Sequence, residues 1–230
     1  MTFNRRGLGR STVDRLTWYD DPENIYKRLI TGPGWDYKES IQRLKIRDLA
    51  LITVLYIASA RVTEVVGGQT QVTSINQDGS IRVNKIQLPP INRDQFIIDK
   101  DQIWLRHLPI IKQRFTKRGS RWVLIEEARD YPIRVDIPFF INEEPLCKFA
   151  PLLLDYLGTI PQGEPVFSIG SKRAWEICKS KDPAWFPHYF RDMGLKFWKR
   201  YFQRDAFKLK KFSGHKRWTS LEKYMNEELF

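Results

Sequence analysis

The stretch from Glu39 to Ala58, ESIQRLKIRDLALITVLYIA, limits the fold more than any other part of the chain. Its apolar residues Ile41, Leu44, Leu49, Ile52 and Leu55 recur at helical spacing, and its second half is apolar on every side. A helix without a polar face has to sit inside a domain, with neighbours all round it. At 230 residues, 42% of them hydrophobic, the chain has the apolar side chains to build one such core.

The flanking segments place this helix in a helix-rich α+β domain. DDPENIYKRLI reads as a helix with Asp21 as N-cap and Pro22 at its first position, and TGPGW breaks it. After SAR, VTEVVG reads as a short helix stopped by Gly67. Between residues 70 and 140 the β-branched, turn-bounded runs GSIRVNKIQL, DQIWLRHLPIIKQ, RWVLIEE and YPIRVDIPF predict one small, mostly antiparallel sheet, with His107 a structural residue within it. From Glu144 onwards helices return as CKFAPLLLDYLG, SKRAWEICKS, FPHYFRDMGLKFWKRYF, DAFKLKKFSG and TSLEKYMNEEL. Asp205 is the predicted cap of the fourth, and Thr219 with Glu222 a predicted capping box for the last. Residues 1–38 then form a basic arm and a short helix ahead of the main domain, 39–230.

Charge narrows the partner. Thirty-nine Lys and Arg against 27 Asp and Glu give +12 and a pI near 9.7. Such an excess, interleaved with aromatic residues, favours nucleic acid over a membrane surface. Two cysteines, Cys147 and Cys178, in no CxxC spacing, suggest neither a disulfide framework nor a thiolate zinc site. No run approaches a membrane span and MTFNRRGLGR lacks the apolar core of a secretion signal, so the expectation is a cytoplasmic, DNA-associated protein.

Chemistry enters with a series of residues in fixed order. Arg61 stands in SARVTEVV, His188 and Arg191 in HYFR, His215 in SGHK, and Tyr224 nine residues after that histidine. On a helix, His188 and Arg191 share a face. Together these motifs resemble the catalytic domain of tyrosine recombinases, the lambda-integrase and Xer class. That family reads its first arginine in G-[LIV]-R-[IV]-[ST]-E, which is matched here from Arg61 to Glu64, with Ser59 in place of glycine and Ala60 in place of the larger aliphatic residue. Its second box is H-x-x-R and its third an L-G-H turn, with the nucleophilic tyrosine about nine residues on. VFSIGSKRAWEICK is also similar to the helix that precedes the family's H-x-x-R box. The resemblance covers about residues 40 to 226.

The resemblance implies cleavage of a phosphodiester without metal or nucleotide cofactor, through a 3′-phosphotyrosyl intermediate. Tyr224 is then the nucleophile, and because a phenol ordinarily ionises near pH 10, a cationic pocket must favour the phenolate as it attacks. Arg61 and Arg191 hold the non-bridging oxygens in a fork that lysine cannot reproduce. His188 assists proton transfer and His215 donates to the phosphate. The family's general-acid lysine, carried on a sheet hairpin, falls first to Lys112, with Lys117 and Lys85 as alternatives.

The run KFWKRYFQRDAFKLKKFSGHKR supplies Lys196, Lys199, Arg200, Lys208, Lys210, Lys211, Lys216 and Arg217 as candidate phosphate contacts, while its aromatics serve the core. No metal-ligand spacing is present. The implied partners are double-stranded DNA, further copies of the chain in a tetramer, and a partner supplying the family's N-terminal clamp, for which only some forty residues precede the first catalytic helix. Recombination or integration of mobile DNA is the leading expectation. Relaxation by a type IB topoisomerase and a non-catalytic architectural protein are the alternatives.

Overall fold

The computed structural model describes residues 19–31, 38, 41–75, 78, 80–108, 115–118, 121–124, 134–215 and 218–225. Helix α1 (Pro22–Thr31) starts as its sequence predicts, with the Asp21 carboxylate accepting the Asn24 amide at 2.8 Å and proline at its first position. It buries Ile25 and Leu29, one turn apart. Helix α2 (Gln42–Ile57) is the central strut: every residue from Asp48 to Ile57 is buried. Three later helices, α4 (Ala150–Leu157), α5 (Ser171–Lys181) and α6 (Pro187–Tyr201), pack around it, which is why its second half needs no polar face.

Helix α3 (Val62–Val66) ends at Gly67, whose φ is 68°. A Cβ there would come within 2.6 Å of the Leu88 carbonyl oxygen and 2.7 Å of the Pro90 nitrogen. Both the left-handed backbone and the close approach require glycine.

The strand region gives three antiparallel groups among the described residues in place of the single sheet expected. β1 (Gly68–Ile75) pairs with β2 (Ile81–Leu88), and β5 (Phe115–Arg118) with β6 (Arg121–Leu124). β3 (Phe96–Ile98), β4 (Gln102–Leu105) and β7 (Ile137–Phe140) form the third. This last sheet docks on the core through Phe96, Ile103, Leu105, Ile137 and Phe139. His107 lies beyond the end of β4 and is exposed, with φ 57°, so the strand assigned to it stops two residues earlier. Histidine is among the side chains that tolerate the left-handed region.

Helices α4 to α6 are followed by α7 (Ala206–Ser213) and α8 (Trp218–Met225). Asp205 caps α7 as predicted, accepting the amides of Phe207 and Lys208 at 3.0 Å each. Helix α8 begins at Trp218, ahead of the predicted cap. Trp218, held edge-on against Phe207 at 5.1 Å and beneath the Lys210 ammonium at 4.2 Å, is already helical, so Thr219 lies within the first turn and not at the cap.

The segment before α1 is fastened to α6. Asp20 is buried and accepts the Tyr189 hydroxyl at 2.6 Å and Arg28 at 2.5 Å. Arg200 lies over the Tyr19 ring at 3.8 Å. Burial and the nearby Asp20 carboxylate together push the Tyr189 phenol well above its ordinary pKa, so it stays a neutral donor. Among the described residues no helix is long and apolar enough to cross a membrane.

Candidate active site

The site forms where the C-terminal end of α2 meets the C-terminal end of α7. A helix end leaves its last carbonyls without intrahelical donors, and three successive ones here are met by side chains. Trp198 donates to Ile57 at 2.7 Å, Arg134 to Ala58 at 2.7 Å, and Arg191 to Ser59. The same two arginines reach across to α7, Arg134 donating to the Phe212 carbonyl at 2.6 Å and Arg191 to that of Ser213 at 3.3 Å. Two parallel guanidinium bridges therefore hold the turn before Arg61 against the turn before His215.

Gly194 allows this approach. A Cβ at that position would fall well inside van der Waals contact of the Tyr56 carbonyl oxygen and the Ser59 hydroxyl. With hydrogen alone, α6 lies backbone-close to the end of α2 and brings Arg191 beside Ser59.

Glu64 is the anion at the centre. It stands at the third position of α3, where its carboxylate accepts the Arg61 amide at 2.8 Å and the Arg61 guanidinium at 2.7 Å. Its other neighbours are Arg191 at 3.8 Å and Arg134 at 3.9 Å. The Glu64 side chain is 1% exposed, and three cations share it. Burial is the largest influence on Arg134 and lowers its guanidinium to about 9, Glu64 opposing the shift, so it remains cationic at neutral pH. Arg191 is lowered in the same way, with burial first and Glu64 opposing. Arg61 is the member of the trio open to solvent, with 27% of its side chain exposed.

The nucleophile candidate comes from α8. Tyr224 is buried, and its hydroxyl donates to Asp192 Oδ1 at 2.5 Å. The same oxygen lies 3.8 Å from His188 Nε2. Gly214 ends α7 in the left-handed conformation, φ 67°, and delivers His215 to the site. Its ring packs 5.9 Å from Tyr224, centre to centre, with Nδ1 2.7 Å from the Ser213 hydroxyl. Arg61, His188, Arg191, His215 and Tyr224 are thus gathered from the turn before α3, from α6, from the turn after α7 and from α8.

Other candidates fall differently. Lys112 lies outside the described residues, as do Lys216 and Arg217; Lys85 and Lys117 are described in backbone only, in β2 and β5. Lys196 and Lys199 are buried, 1% and 2% exposed, so neither has the solvent-facing position read from the sequence. They occur on the inner side of α6, where the aromatic-rich helix packs into the core. Arg200, Lys208 and Lys211 are exposed, and Lys210 is half-buried over Trp218. Arg134, Glu64 and Asp192 were not among the sequence candidates. Glu64 carried a signal as the last residue of the R-x-x-E pattern, and Asp192 one as the neighbour of Arg191, whereas nothing local marks Arg134.

Among the described residues no three His, Cys, Asp or Glu side chains form a group able to hold a metal ion. Comparison with protein-family models, with curated proteins and with solved structures found no match for the chain.

Proposed function

We propose that the protein breaks and rejoins DNA strands through a tyrosyl-phosphate intermediate, as a recombinase or integrase of the tyrosine-recombinase type. The observation that carries this reading is the convergence of Arg61, Arg191, His188, His215 and Tyr224 on one site, from motifs whose order the family resemblance gives. In this reading the fold is that of the family's catalytic domain, and double-stranded DNA is the substrate.

The scissile phosphate sits against Arg61 and Arg191. A guanidinium has five N–H donors, so the two backbone carbonyls that Arg191 serves leave it capacity for a phosphate oxygen. Charge on the non-bridging oxygens grows as the fifth bond forms, and fixed cations then stabilise the transition state more than the ground state. His215 donates to the phosphate. Tyr224 attacks phosphorus in line and keeps the 3′ end covalently, so the bond energy is stored and resealing needs no nucleotide. A lysine from the strand region protonates the leaving 5′ oxygen. Arg200, Lys208, Lys210 and Lys211 follow the flanking phosphates. Further copies of the chain and a clamp-forming partner complete the assembly.

Tyr224 is 2% exposed in the free chain, so DNA binding must uncover its oxygen. That burial is also what favours a second reading, a DNA-binding protein without chemistry. Incubation with a nicked suicide duplex separates the two: a denaturant-stable protein–DNA complex supports strand breakage, and binding without any such complex supports the second reading. Relaxation of supercoiled DNA lacking a recombination site distinguishes topoisomerase activity.

A further inference from the structure

We infer that Asp192 is the proton acceptor for Tyr224, a catalytic residue that none of the sequence motifs names. The inference rests on the proposed strand-breaking reaction and adds to it the fate of the phenolic proton. Among the described residues, four groups of the site other than Asp192 are less suited to the task. Arg61 and Arg191 are cations with no lone pair to offer. His215 meets the tyrosine ring to ring, with its Nδ1 on the Ser213 hydroxyl. His188 stands beside Asp192, on the same helix. Asp192 touches the reacting atom directly, through a 2.5 Å hydrogen bond at the short end of the range for a hydroxyl donating to a carboxylate.

The contact is fixed by both elements that make it. Asp192 projects from α6 beside Arg191, whose bridges to Ser59 and Ser213 lock that turn of the helix. Tyr224 projects from α8, which packs on α6 and α7. The carboxylate is thus held at the nucleophile by the same framework that holds the phosphate-binding arginine.

The step balances as follows. The Tyr224 O–H bond breaks and its proton passes to Asp192 Oδ1. The phenolic oxygen forms its bond to phosphorus while the bond from phosphorus to the 5′ oxygen breaks. The electron pair leaves with the 5′ oxygen, which takes a proton from a lysine ammonium. Resealing runs the same transfers backwards, with Asp192 returning its proton to the phenol. A carboxylate is a far weaker base than a phenolate, so the proton moves as attack proceeds and not before it. His188, with 54% of its side chain exposed and Nε2 3.8 Å from Asp192, gives the proton a route to solvent.

The test is single-turnover adduct formation on a suicide duplex, with protein saturating. Asp192→Asn keeps the shape and an oxygen to accept the phenol's hydrogen bond, but removes the base. It is expected to bind DNA as the parent does and to form adduct about a hundredfold more slowly or worse, the usual scale of general-base loss. Replacing Tyr224 in that variant by a fluorotyrosine, whose phenol ionises more readily, should restore part of the rate. Asp192→Glu, which retains a carboxylate, should be faster than Asp192→Asn. If Asp192→Asn reacts as fast as the parent, the residue has no such role. If it reacts faster, the hydrogen bond is a restraint on the tyrosine, and the inference is overturned. If it is slow but indifferent to fluorotyrosine, Asp192 acts by position only, which also overturns it. Should Asp192→Asn fail to fold, fluorotyrosine at position 224 of the otherwise unchanged chain decides. With Asp192 taking the proton, the rate at neutral pH stays near that of the parent; a rise in proportion to the phenol's acidity contradicts it. Absence of any adduct from the parent chain sinks the strand-breaking reading itself, and is distinct from all of these.

Discussion

Arg191 donates to the backbone carbonyl of Ser59, two residues before Arg61, and so fastens both arginines of the proposed phosphate site to a single turn. Ser59 itself has φ 46°, in the left-handed region that a residue with a Cβ enters at a cost. Its hydroxyl makes a long contact to the Tyr56 carbonyl, 3.4 Å, which recovers little of that cost.

Ser59→Gly should therefore stabilise the protein, by about 1 kcal/mol if relief of the strained backbone dominates. Urea denaturation of variant and parent checks this. Adduct formation should persist, because the carbonyl that Arg191 uses is unchanged. A marked loss of stability would mean that the serine hydroxyl matters more than its geometry indicates.

Gly194→Ala tests the close crossing from the opposite side. The new methyl group drives against the Tyr56 carbonyl and Ser59, so α6 must shift away from α2. Overpacking of this kind costs about 1–3 kcal/mol, and displacement of the turn bearing Arg191 should lower adduct formation as well. Thermal denaturation and the suicide-duplex assay read the two effects separately.

Glu64→Gln removes the anion that Arg61, Arg134 and Arg191 share. Three guanidinium groups then face one another with two of them buried, and loss of one partner from a buried ionic group costs about 3–5 kcal/mol. The expected outcome in urea is a large fall in the unfolding midpoint with an unchanged slope. A small effect would show that the backbone carbonyls alone hold the arginines in place.

The parts of this architecture that were legible in the sequence are those whose cause is local. Helix α2 announces itself because ten consecutive residues, Asp48 to Ile57, are buried and the sequence around them has almost no polar face. Asp21, Asp205 and Gly67 mark helix ends by chemistry that acts within a turn. β1, reading GQTQVTSI, is mostly polar and takes its strand identity from pairing with β2, which no local pattern encodes. The order of Arg61, His188, Arg191, His215 and Tyr224 was readable, but their supports were not. Arg134 belongs to the site only because the fold carries it to Ala58 and Phe212, more than seventy residues away in either direction. Lys196 and Lys199 looked like surface charge because burial of a basic residue depends on the neighbouring helices.

Binding to duplex DNA should be mainly electrostatic, through Arg200, Lys208, Lys210 and Lys211 with other cations of the basic C-terminal third. Counterion release then makes affinity fall on the order of a thousandfold between low and moderate salt, if several phosphates are contacted. Titrations of a labelled duplex at a series of salt concentrations measure the slope. An affinity insensitive to salt would contradict the proposed contact surface.

The most direct measurement is identification of the residue that becomes joined to DNA. The chain is incubated with a suicide duplex, the complex digested, and the nucleotide-bearing peptide sequenced by mass spectrometry. The proposal predicts a 3′-phosphate ester on Tyr224, and predicts that Tyr224→Phe binds the duplex as the parent does yet yields no adduct, since only the attacking oxygen is gone. Linkage through another residue, such as Tyr189 or Tyr201, persistence of the adduct in the phenylalanine variant, or failure of the parent to link to any nicked duplex even with a clamp partner present, would contradict it.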